Sequence, residues 1–263
     1  ESSNEVGVSS SIDESLSDDA EESSSNEITE PPSEPKCKVY EDDVITYLDS
    51  CKYSLNSNGN KFVYVYVLSS NFTGSHDETN GGAININYCG IHCNNTCFID
   101  CVAQSGGGGA IYVKNPINTE NNATFIDLLF LRCVADYGGA IYHYSDSEQF
   151  DVLFLRCHFE KNKALLTRPS RGSKDFLFGG SALFLTCKNS LVQNCTFVRN
   201  LNGGAVKICN KFENNYNSKS IGLEKSQNKV SILGCNFEQD ENSKNSIFYD
   251  DKKDGDSIEV VDC

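Results

Sequence analysis

A short phrase of two glycines, an alanine and an aliphatic residue recurs along this 263-residue chain. Its copies read GGAININ, GGAIYVK, GGAIYHY, GGSALFLT (read here with one inserted Ser) and GGAVKIC, with alanines at Ala83, Ala110, Ala140, Ala182 and Ala205. Successive alanines are 27, 30, 42 and 23 residues apart, and the longest gap contains an insertion at 165–178. A phrase that returns at this interval predicts an architecture built by stacking one structural unit.

A second phrase lies between these copies and has Asn, Cys or Asp three residues after a Phe. It starts at Phe98, Phe130, Phe159, Phe197 and Phe237. The residues after each repeated alanine alternate between apolar and other types, and a period of two with β-branched residues indicates strands. The same alternation predicts that one strand face holds Leu153, Leu155, Cys157 and Phe159.

Short strands in units of 25 to 30 residues, without crossover helices, predict an all-β fold, specifically a parallel β-helix (a solenoid) in which each unit winds once and stacks on the last. A β-sandwich is the alternative, but its strands are not tied to one recurring phrase. The glycine pair marks a sharp bend, where positive φ or close backbone approach excludes a β-carbon. It does not predict a phosphate loop, because no helix and no Lys-Ser pair follows it.

Acidic residues are concentrated at the N-terminus. Residues 1–36 contain eleven acidic residues and one Lys, in a chain of formal net charge −15. This Ser-rich segment without aromatics cannot bury enough apolar surface to offset its ordering entropy, so we predict a disordered acidic tail. A solvated spacer and a weak site for basic partners or calcium are both open for it. We predict an N-terminal cap over residues 37–79 and β-helix repeats over residues 80–263.

Cysteines and glycosylation motifs bear on the compartment. Thirteen cysteines favour an oxidising environment. Candidate N-glycosylation sequons occur at Asn71, Asn94, Asn122 and Asn194. No apolar run reaches the roughly 18 residues of a membrane span, and no signal peptide is recognised. We therefore predict a secreted or cell-surface protein, which can belong to a longer polypeptide, and the acidic charge argues against a nucleic-acid partner.

The combination of GGAI with a preceding Phe-x-x-Asn resembles the repeat of the chlamydial polymorphic outer-membrane proteins. Related repeats occur in large surface proteins of protozoa such as trichomonads. The resemblance covers about residues 80–240, and it implies a right-handed parallel β-helix at a cell surface, often with an adhesive role. Cys101, Cys133 and Asp240 depart from the pattern, because they stand where Asn is expected.

The repeats place cysteines at fixed positions. Cys157, Cys195 and Cys235 each precede a Phe by two residues and are predicted to form one interior column, with Cys101 and Cys133 in another. Disulfides between coils and buried free thiols are both open for these columns.

A denser cluster lies in the segment CGIHCNNTCFIDC, which contains Cys89, His92, Cys93, Cys97 and Cys101. Thiolates and imidazole are zinc ligands, but the two-residue cysteine spacing of common zinc sites is absent. We therefore expect disulfides in a loop between coils rather than a metal site.

Aromatic residues occupy the outward parity of the strands that follow the repeated alanines. Tyr112, Tyr142, Tyr144 and Phe184 are expected to face solvent, three of them stacked in a column. Exposed aromatics in a line bind sugar chains, peptide strands or partner proteins, so these four are the candidate ligand-binding residues. The alternative is that they only stabilise the sheet or are covered by the insertion. His143 is expected to face inward as a hydrogen-bonded core residue.

The sequence therefore predicts an extracellular β-helix protein with an adhesive, ligand-binding or structural role, whose partner is a host-cell glycan or protein. The alternative is a polysaccharide lyase or hydrolase, which needs converging carboxylates, or calcium ligands with an Arg or Lys base. Asp100, Asp127 and Asp136 occupy different places in the repeat, and Arg168 and Arg171 lie in the insertion. We expect no catalysis, no metal and no cofactor.

Overall fold

The structure of the protein is a computed structural model. It describes residues 36–41, 44–48, 53–56, 63–87, 89–115, 122–145, 151–166, 179–186, 189–209, 229–238, 247–250 and 257–263. Regular structure over these residues is entirely strand, and no described helix is long and apolar enough to cross a membrane. The predicted disordered tail, up to residue 35, and most of the insertion, residues 167–178, lie outside the described residues.

The strands form four sheets, which we call A, B, C and D. Sheet A contains, in spatial order, β2 (Val44–Leu48), β1 (Lys36–Glu41), β4 (Val63–Leu68), β8 (Gly90–Asn94), β12 (Ala123–Ile126), β16 (Asp151–Leu155), β20 (Asn189–Gln193), β23 (Lys229–Leu233) and β26 (Ser257–Val261). Sheet B contains β25 (Ile247–Asp250), β22 (Val206–Cys209), β19 (Leu183–Thr186), β15 (Ile141–Ser145), β11 (Ile111–Asn115), β7 (Ile84–Asn87) and β3 (Tyr53–Asn56).

The other two sheets are built from shorter strands. Sheet C contains β24 (Asn236–Glu238), β21 (Thr196–Val198), β17 (His158–Glu160), β13 (Leu129–Leu131), β9 (Cys97–Ile99) and β5 (Asn71–Thr73). Sheet D contains β18 (Lys163–Ala164), β14 (Val134–Ala135), β10 (Val102–Ala103) and β6 (His76–Asp77).

The chain passes through the sheets in a fixed order. From β4 to β19 it visits A, C, D and B in turn, as in β8, β9, β10 and β11, and then returns to A one strand further along. From β20 onward the described strands follow the order A, C and B. We call one such passage a coil. The strands of successive coils pair in parallel, whereas β1 pairs antiparallel with β2 and β4. This all-β arrangement of stacked parallel sheets is consistent with the expected parallel β-helix, and its parallel pairing already begins within the predicted cap region, at β3 and β4.

The interior contains aligned rows of identical side chains. The phenylalanines of the second phrase stack with ring centroids 4.8–5.0 Å apart and interplanar angles of 3–6°. The row begins one coil before the first copy we recognised and consists of Phe72, Phe98, Phe130, Phe159, Phe197 and Phe237. Each ring therefore packs against the ring of the preceding coil, which explains why the phrase repeats the same residue.

The two glycines of the repeated phrase serve different purposes. The first, as at Gly138, has φ of 58°, in the left-handed region that favours glycine. The second, Gly139, has no positive φ, but an added β-carbon would lie 2.2 Å from the Ser181 carbonyl oxygen of the next coil. The phrase therefore fixes a bend and a close backbone contact, as the sequence predicts.

Two details of the predicted register are wrong. Ser181 is not an insertion, because Ala140 bonds to Ala182 and Ser181 occupies the place of the second glycine. Leu153 and Leu155 do not share a face with the buried Cys157, because Arg156, which lies between Leu155 and Cys157, has φ of 52°. A left-handed residue interrupts the alternation, so Val152 and Phe154 face the interior instead.

Left-handed residues of this kind turn the chain at two corners. The corner between sheets A and C has positive φ at Ser69, Asn95, Asp127, Arg156, Asn194, Gly234 and Asp262. The corner between sheets C and D has positive φ at Gly74, Asp100, Arg132, Lys161 and Arg199. These residues are exposed, and most are not glycine, although the left-handed conformation costs an ordinary residue about 1 kcal/mol.

Candidate interaction surface

The predicted exposed aromatic column is buried. Tyr112, Tyr142, Tyr144 and Phe184 are 8%, 4%, 5% and 0% exposed, and they form an apolar cluster separate from the interior core. The expectation that they face solvent is therefore wrong, although their predicted stacking is present, with ring centroids 4.9 Å apart for Tyr112 and Tyr142 and 5.2 Å apart for Tyr142 and Phe184. These residues do not offer an accessible binding surface.

Neighbouring side chains on the outside of sheet B account for part of this burial. Tyr137 packs edge-on against Tyr142 at 5.1 Å, and the Lys207 ammonium lies 5.3 Å from the Phe184 ring centroid. Lys114 lies 5.7 Å from the Tyr144 ring centroid. Such cation–π contacts place a lysine stem and an aromatic face together, which removes both from solvent. Sheet B is consequently covered on both faces in this region.

The outer face of sheet A is the accessible apolar surface of the described coils. Strands β8, β12, β20 and β23 alternate between buried and partly exposed side chains, so every second residue faces outward. From β4 to β23 the described outward side chains are Tyr64, Tyr66, Leu68, His92, Asn94, Thr124, Ile126, Leu153, Leu155, Asn189, Leu191, Gln193, Lys229, Ser231 and Leu233. Lys229 is the one Lys, Arg, Asp or Glu among these described side chains, although the chain has a net charge of −15, and Asp151 of β16 stands in register with Asn189.

The size of this face bears on its use. Six strands about 4.8 Å apart and about 16 Å long give a projected area of roughly 400 Å². Apolar patches of a few hundred Å² mark functional contacts on soluble proteins, whereas a stable protein interface buries about 800 Å² on each partner. The face therefore suits a small or transient partner better than an obligate one.

The first strands of the outer face carry a group of rings that our sequence interpretation did not single out. Tyr64 and Tyr66 have ring centroids 6.3 Å apart, and the Tyr66 and His92 centroids are 5.7 Å apart. The three side chains are partly exposed. The alternation in KFVYVYVL predicts a strand, and its tyrosines at every second position were the available signal that they share the outward face.

The predicted cysteine columns are present, and their described members are free thiols. In the first column, Cys157, Cys195 and Cys235 each donate from Sγ to the carbonyl two residues earlier, at 3.5, 3.4 and 3.5 Å. Ser70 and Thr96 make the same bond with their hydroxyls on earlier coils, each at 3.0 Å. The thiols therefore act as hydrogen-bonding residues beside a left-handed corner.

The second column combines cysteine with asparagine. Cys101 and Cys133 donate to the carbonyls of Phe72 and Phe98 on the preceding coil, at 3.7 and 3.6 Å. Asn162 donates to Phe130 in the same way at 3.1 Å. Cysteine thus replaces the expected Asn and keeps its bond to the preceding phenylalanine carbonyl. Burial raises the pKa of Cys133 well above its usual value, so this thiol is protonated at neutral pH.

The cysteine cluster of β8 and β9 does not converge on one point. Cys89, Cys93 and Cys101 are buried, whereas His92 and Cys97 lie on the outward faces of their strands. A search of the described ranges finds no group of three His, Cys, Asp or Glu side chains placed to hold a metal ion. The alternation of the strands separates the residues that stand close together in the sequence.

His143 is buried in the core, as predicted for its parity. It lies in register between Val113 and Leu185. Burial lowers the pKa of His143 to about 3, because the apolar surroundings disfavour the imidazolium. The side chain is therefore neutral at physiological pH and has no contact with solvent.

Two of the three acidic candidates are held by arginines on the next coil. Arg132 donates to both carboxylate oxygens of Asp100 at 2.6 and 2.7 Å, and Arg156 donates to both of Asp127 at the same distances. These bonds hold the pKa of each carboxyl below its usual value. Burial raises the pKa of Asp136. Asp100 and Asp127 lie at different corners, which supports a role in corner ion pairs. Arg168 and Arg171 lie outside the described residues.

The predicted glycosylation sequons occupy unequal environments. Asn71, Asn122 and Asn194 are exposed, whereas Asn94 is partly buried and its sequon residue Thr96 is fully buried. Thr73 donates to the Asn71 side chain at 3.3 Å, so the two polar groups of this sequon lie together on the outer face of sheet C. Asn71 also lies on β5, the terminal strand of that sheet.

Comparison of the chain with models of protein families, with curated proteins and with solved structures finds no match.

Proposed function

We propose that this chain is a right-handed parallel β-helix of the polymorphic outer-membrane protein type, exposed outside the cell, which binds a partner through the outer face of sheet A. The repeated GGAI and Phe-x-x-Asn phrases support the family and the handedness. The stacked parallel sheets are consistent with this fold, and the phenylalanine row supports the stacking of successive coils.

The observation that carries the binding role is the charge distribution. The described corners carry ion pairs, such as Arg156 with Asp127, whereas Lys229 is the one charged side chain among those described on the outer face of sheet A between β4 and β23. Asp151 occupies the outward register position of β16, in the same row as Lys229 at the edge of the face. A solvent-facing sheet gains solubility from charge, so a nearly uncharged apolar face on a strongly acidic chain favours contact with a partner. Asp100 and Asp127 are each held in an ion pair with an arginine, which gives no support to a polysaccharide-cleaving enzyme.

A binding panel with surface variants tests this role. The labelled chain is applied to immobilised extracellular-matrix proteins and glycans, together with a variant carrying Leu153→Lys and Leu191→Lys. These leucines face outward at the centre of the face, so the variant should keep its circular dichroism spectrum and lose most of the binding.

Leu166→Lys is the matched control, because Leu166 is 44% exposed and lies beside sheet D. It should bind as the unmodified chain does. The proposal is wrong if no panel member binds, or if the folded double variant binds at full strength.

A further inference from the structure

The outer face of sheet A divides into two chemically different parts. Leu153, Leu155 and Leu191 lie together on β16 and β20, whereas Tyr64, Tyr66 and His92 cluster on β4 and β8. We call these three side chains the aromatic patch. Its rings are tilted by 40° between the tyrosines and by 48° between Tyr66 and His92, so they form a curved surface rather than a flat stack.

The backbone beneath the patch holds it in position. The Tyr64 ring lies across Gly90 of the next coil, where an added β-carbon would be 2.4 Å from ring carbon Cε1. The Tyr64 hydroxyl accepts a hydrogen bond of 3.3 Å from the backbone N–H of Asn122, one coil further. The ring is therefore anchored at its far end while remaining partly exposed, which reduces the entropy lost when a ligand packs against it.

Hydrogen-bonding groups border the patch on the same face. Thr124 is in register with His92 on the neighbouring strand, and Asn94 lies two residues after His92. Both side chains are partly exposed. A few amide and hydroxyl groups beside aromatic rings suit a ligand that offers C–H surface on one side and hydroxyls around its rim.

The charge around the patch selects among such ligands. The outward side chains described on β4, β8 and β12 include no Lys, Arg, Asp or Glu, and the nearest lysines by register are Lys36 and Lys38 on β1, opposite Leu68 and Tyr66. The chain as a whole has a net charge of −15, which repels anionic polymers. A neutral ligand avoids this repulsion.

We propose that the aromatic patch binds a neutral oligosaccharide, with sugar rings packed on Tyr66 and His92 and their hydroxyls bonded to Asn94 and Thr124. This inference rests on the proposed function, because it requires the outer face of sheet A to be accessible. It identifies the class of ligand and places it at the β4–β12 end of that face, away from the leucines.

Saturation-transfer NMR and calorimetry with defined hexasaccharides test the inference. The neutral probes are chitohexaose, cellohexaose and mannohexaose, and the anionic probe is a heparin hexasaccharide. At least one neutral probe should bind with an affinity that does not change between low and high salt, and the heparin probe should not bind.

Ring-removing variants locate the site. Tyr66→Ser and His92→Ser should each weaken binding about five-fold, since one aromatic contact is worth about 1 kcal/mol. Leu166→Ser is the matched control, because it shortens an exposed side chain beside sheet D, outside the outer face of sheet A. It should leave the affinity unchanged.

The outcomes separate this inference from the function on which it rests. If the Leu153→Lys and Leu191→Lys variant loses panel binding but no neutral hexasaccharide binds, the inference is overturned and the proposed function stands. The inference is also overturned if the Tyr66→Ser variant loses binding to a protein and keeps its binding to the sugar. If nothing binds in either experiment, both are overturned.

Discussion

Asn162 offers a direct test of the second interior column. Its side-chain oxygen accepts the backbone N–H of Cys133 at 2.9 Å, and its amide donates to the Phe130 carbonyl at 3.1 Å and to the Asn200 side chain at 3.0 Å. The residue is fully buried. Replacement with Leu keeps a similar volume but removes each of these bonds, so the substitution isolates the contribution of hydrogen bonding.

The expected cost follows from the groups that lose a partner. The Cys133 N–H becomes a buried donor without its acceptor, at about 1–3 kcal/mol, and the lost donation to Phe130 adds about 1 kcal/mol. We therefore expect Asn162→Leu to lower the free energy of unfolding by about 3 kcal/mol. With a urea slope of roughly 3 kcal/mol per molar for a chain of this size, the unfolding midpoint should fall by about 1 M.

Asn162→Cys is the matched control. Cys133 already makes the equivalent bond to Phe98, and Cys195 Sγ accepts the backbone N–H of Cys157 at 3.4 Å, so a thiol can serve as both donor and acceptor in such a column. We expect about 1 kcal/mol of destabilisation, measured by urea unfolding followed by circular dichroism. The reasoning is refuted if the Leu variant is within 1 kcal/mol of the unmodified chain, or is more stable than the Cys variant.

Further predictions concern the glycine phrase, the buried histidine and the thiols. Gly139→Ala should destabilise the folded chain by about 3 kcal/mol, because the added β-carbon meets backbone of the next coil. Gly74→Ala should cost about 1 kcal/mol, because Gly74 has φ of 64° but no atom within 4 Å of an added β-carbon. Urea unfolding measures both costs, and equal values would contradict the reasoning. The pKa of His143 is lowered to about 3, so as the pH decreases the unfolded chain binds the proton before the folded chain does. The free energy of unfolding should therefore decrease as the pH is lowered from about 6.5 to 3, by roughly 2 kcal/mol at pH 5. His143→Leu should abolish this decrease, and an unchanged pH profile in the variant would refute the prediction. Iodoacetamide should label Cys97, which faces outward, faster than Cys133 and Cys195, and mass spectrometry measures the rates. Cys133 and Cys195 are buried, and burial together with neighbouring thiols raises their pKa values. Disulfides or equal labelling rates would count against the free-thiol columns.

The sequence predicts the strands and the rows well because both follow from local rules. Alternation after the repeated alanine places Ile111 and Ile141 inward, and the repeated Phe aligns in register from coil to coil. The alternation fails across the corners. Arg156 adopts the left-handed conformation at one of them, and no glycine marks this turn in the sequence. Parity also gives the direction of a side chain but not what covers it, which is why Tyr142 was expected in solvent.

The accessible face was harder to identify than the interior. Its tyrosines are visible in VYVYV, but the outward direction of Leu153 and Leu191 depends on the same corner residues that defeat the parity rule. The ring contacts of Tyr66 with His92 join residues 26 positions apart, and their proximity follows only once the strand register is known.

The corner residues have a consequence for how such a chain can change over evolutionary time. Successive coils use Asp127, Arg156 and Asn194 at one corner, all in the same backbone conformation and all exposed. A negative, a positive and a neutral residue therefore satisfy the same turn, and the buried rows behind them do not depend on the choice. The edges of the molecule can thus acquire new charge or new modification sites by single substitutions, while the packing that holds successive coils together is inherited unchanged.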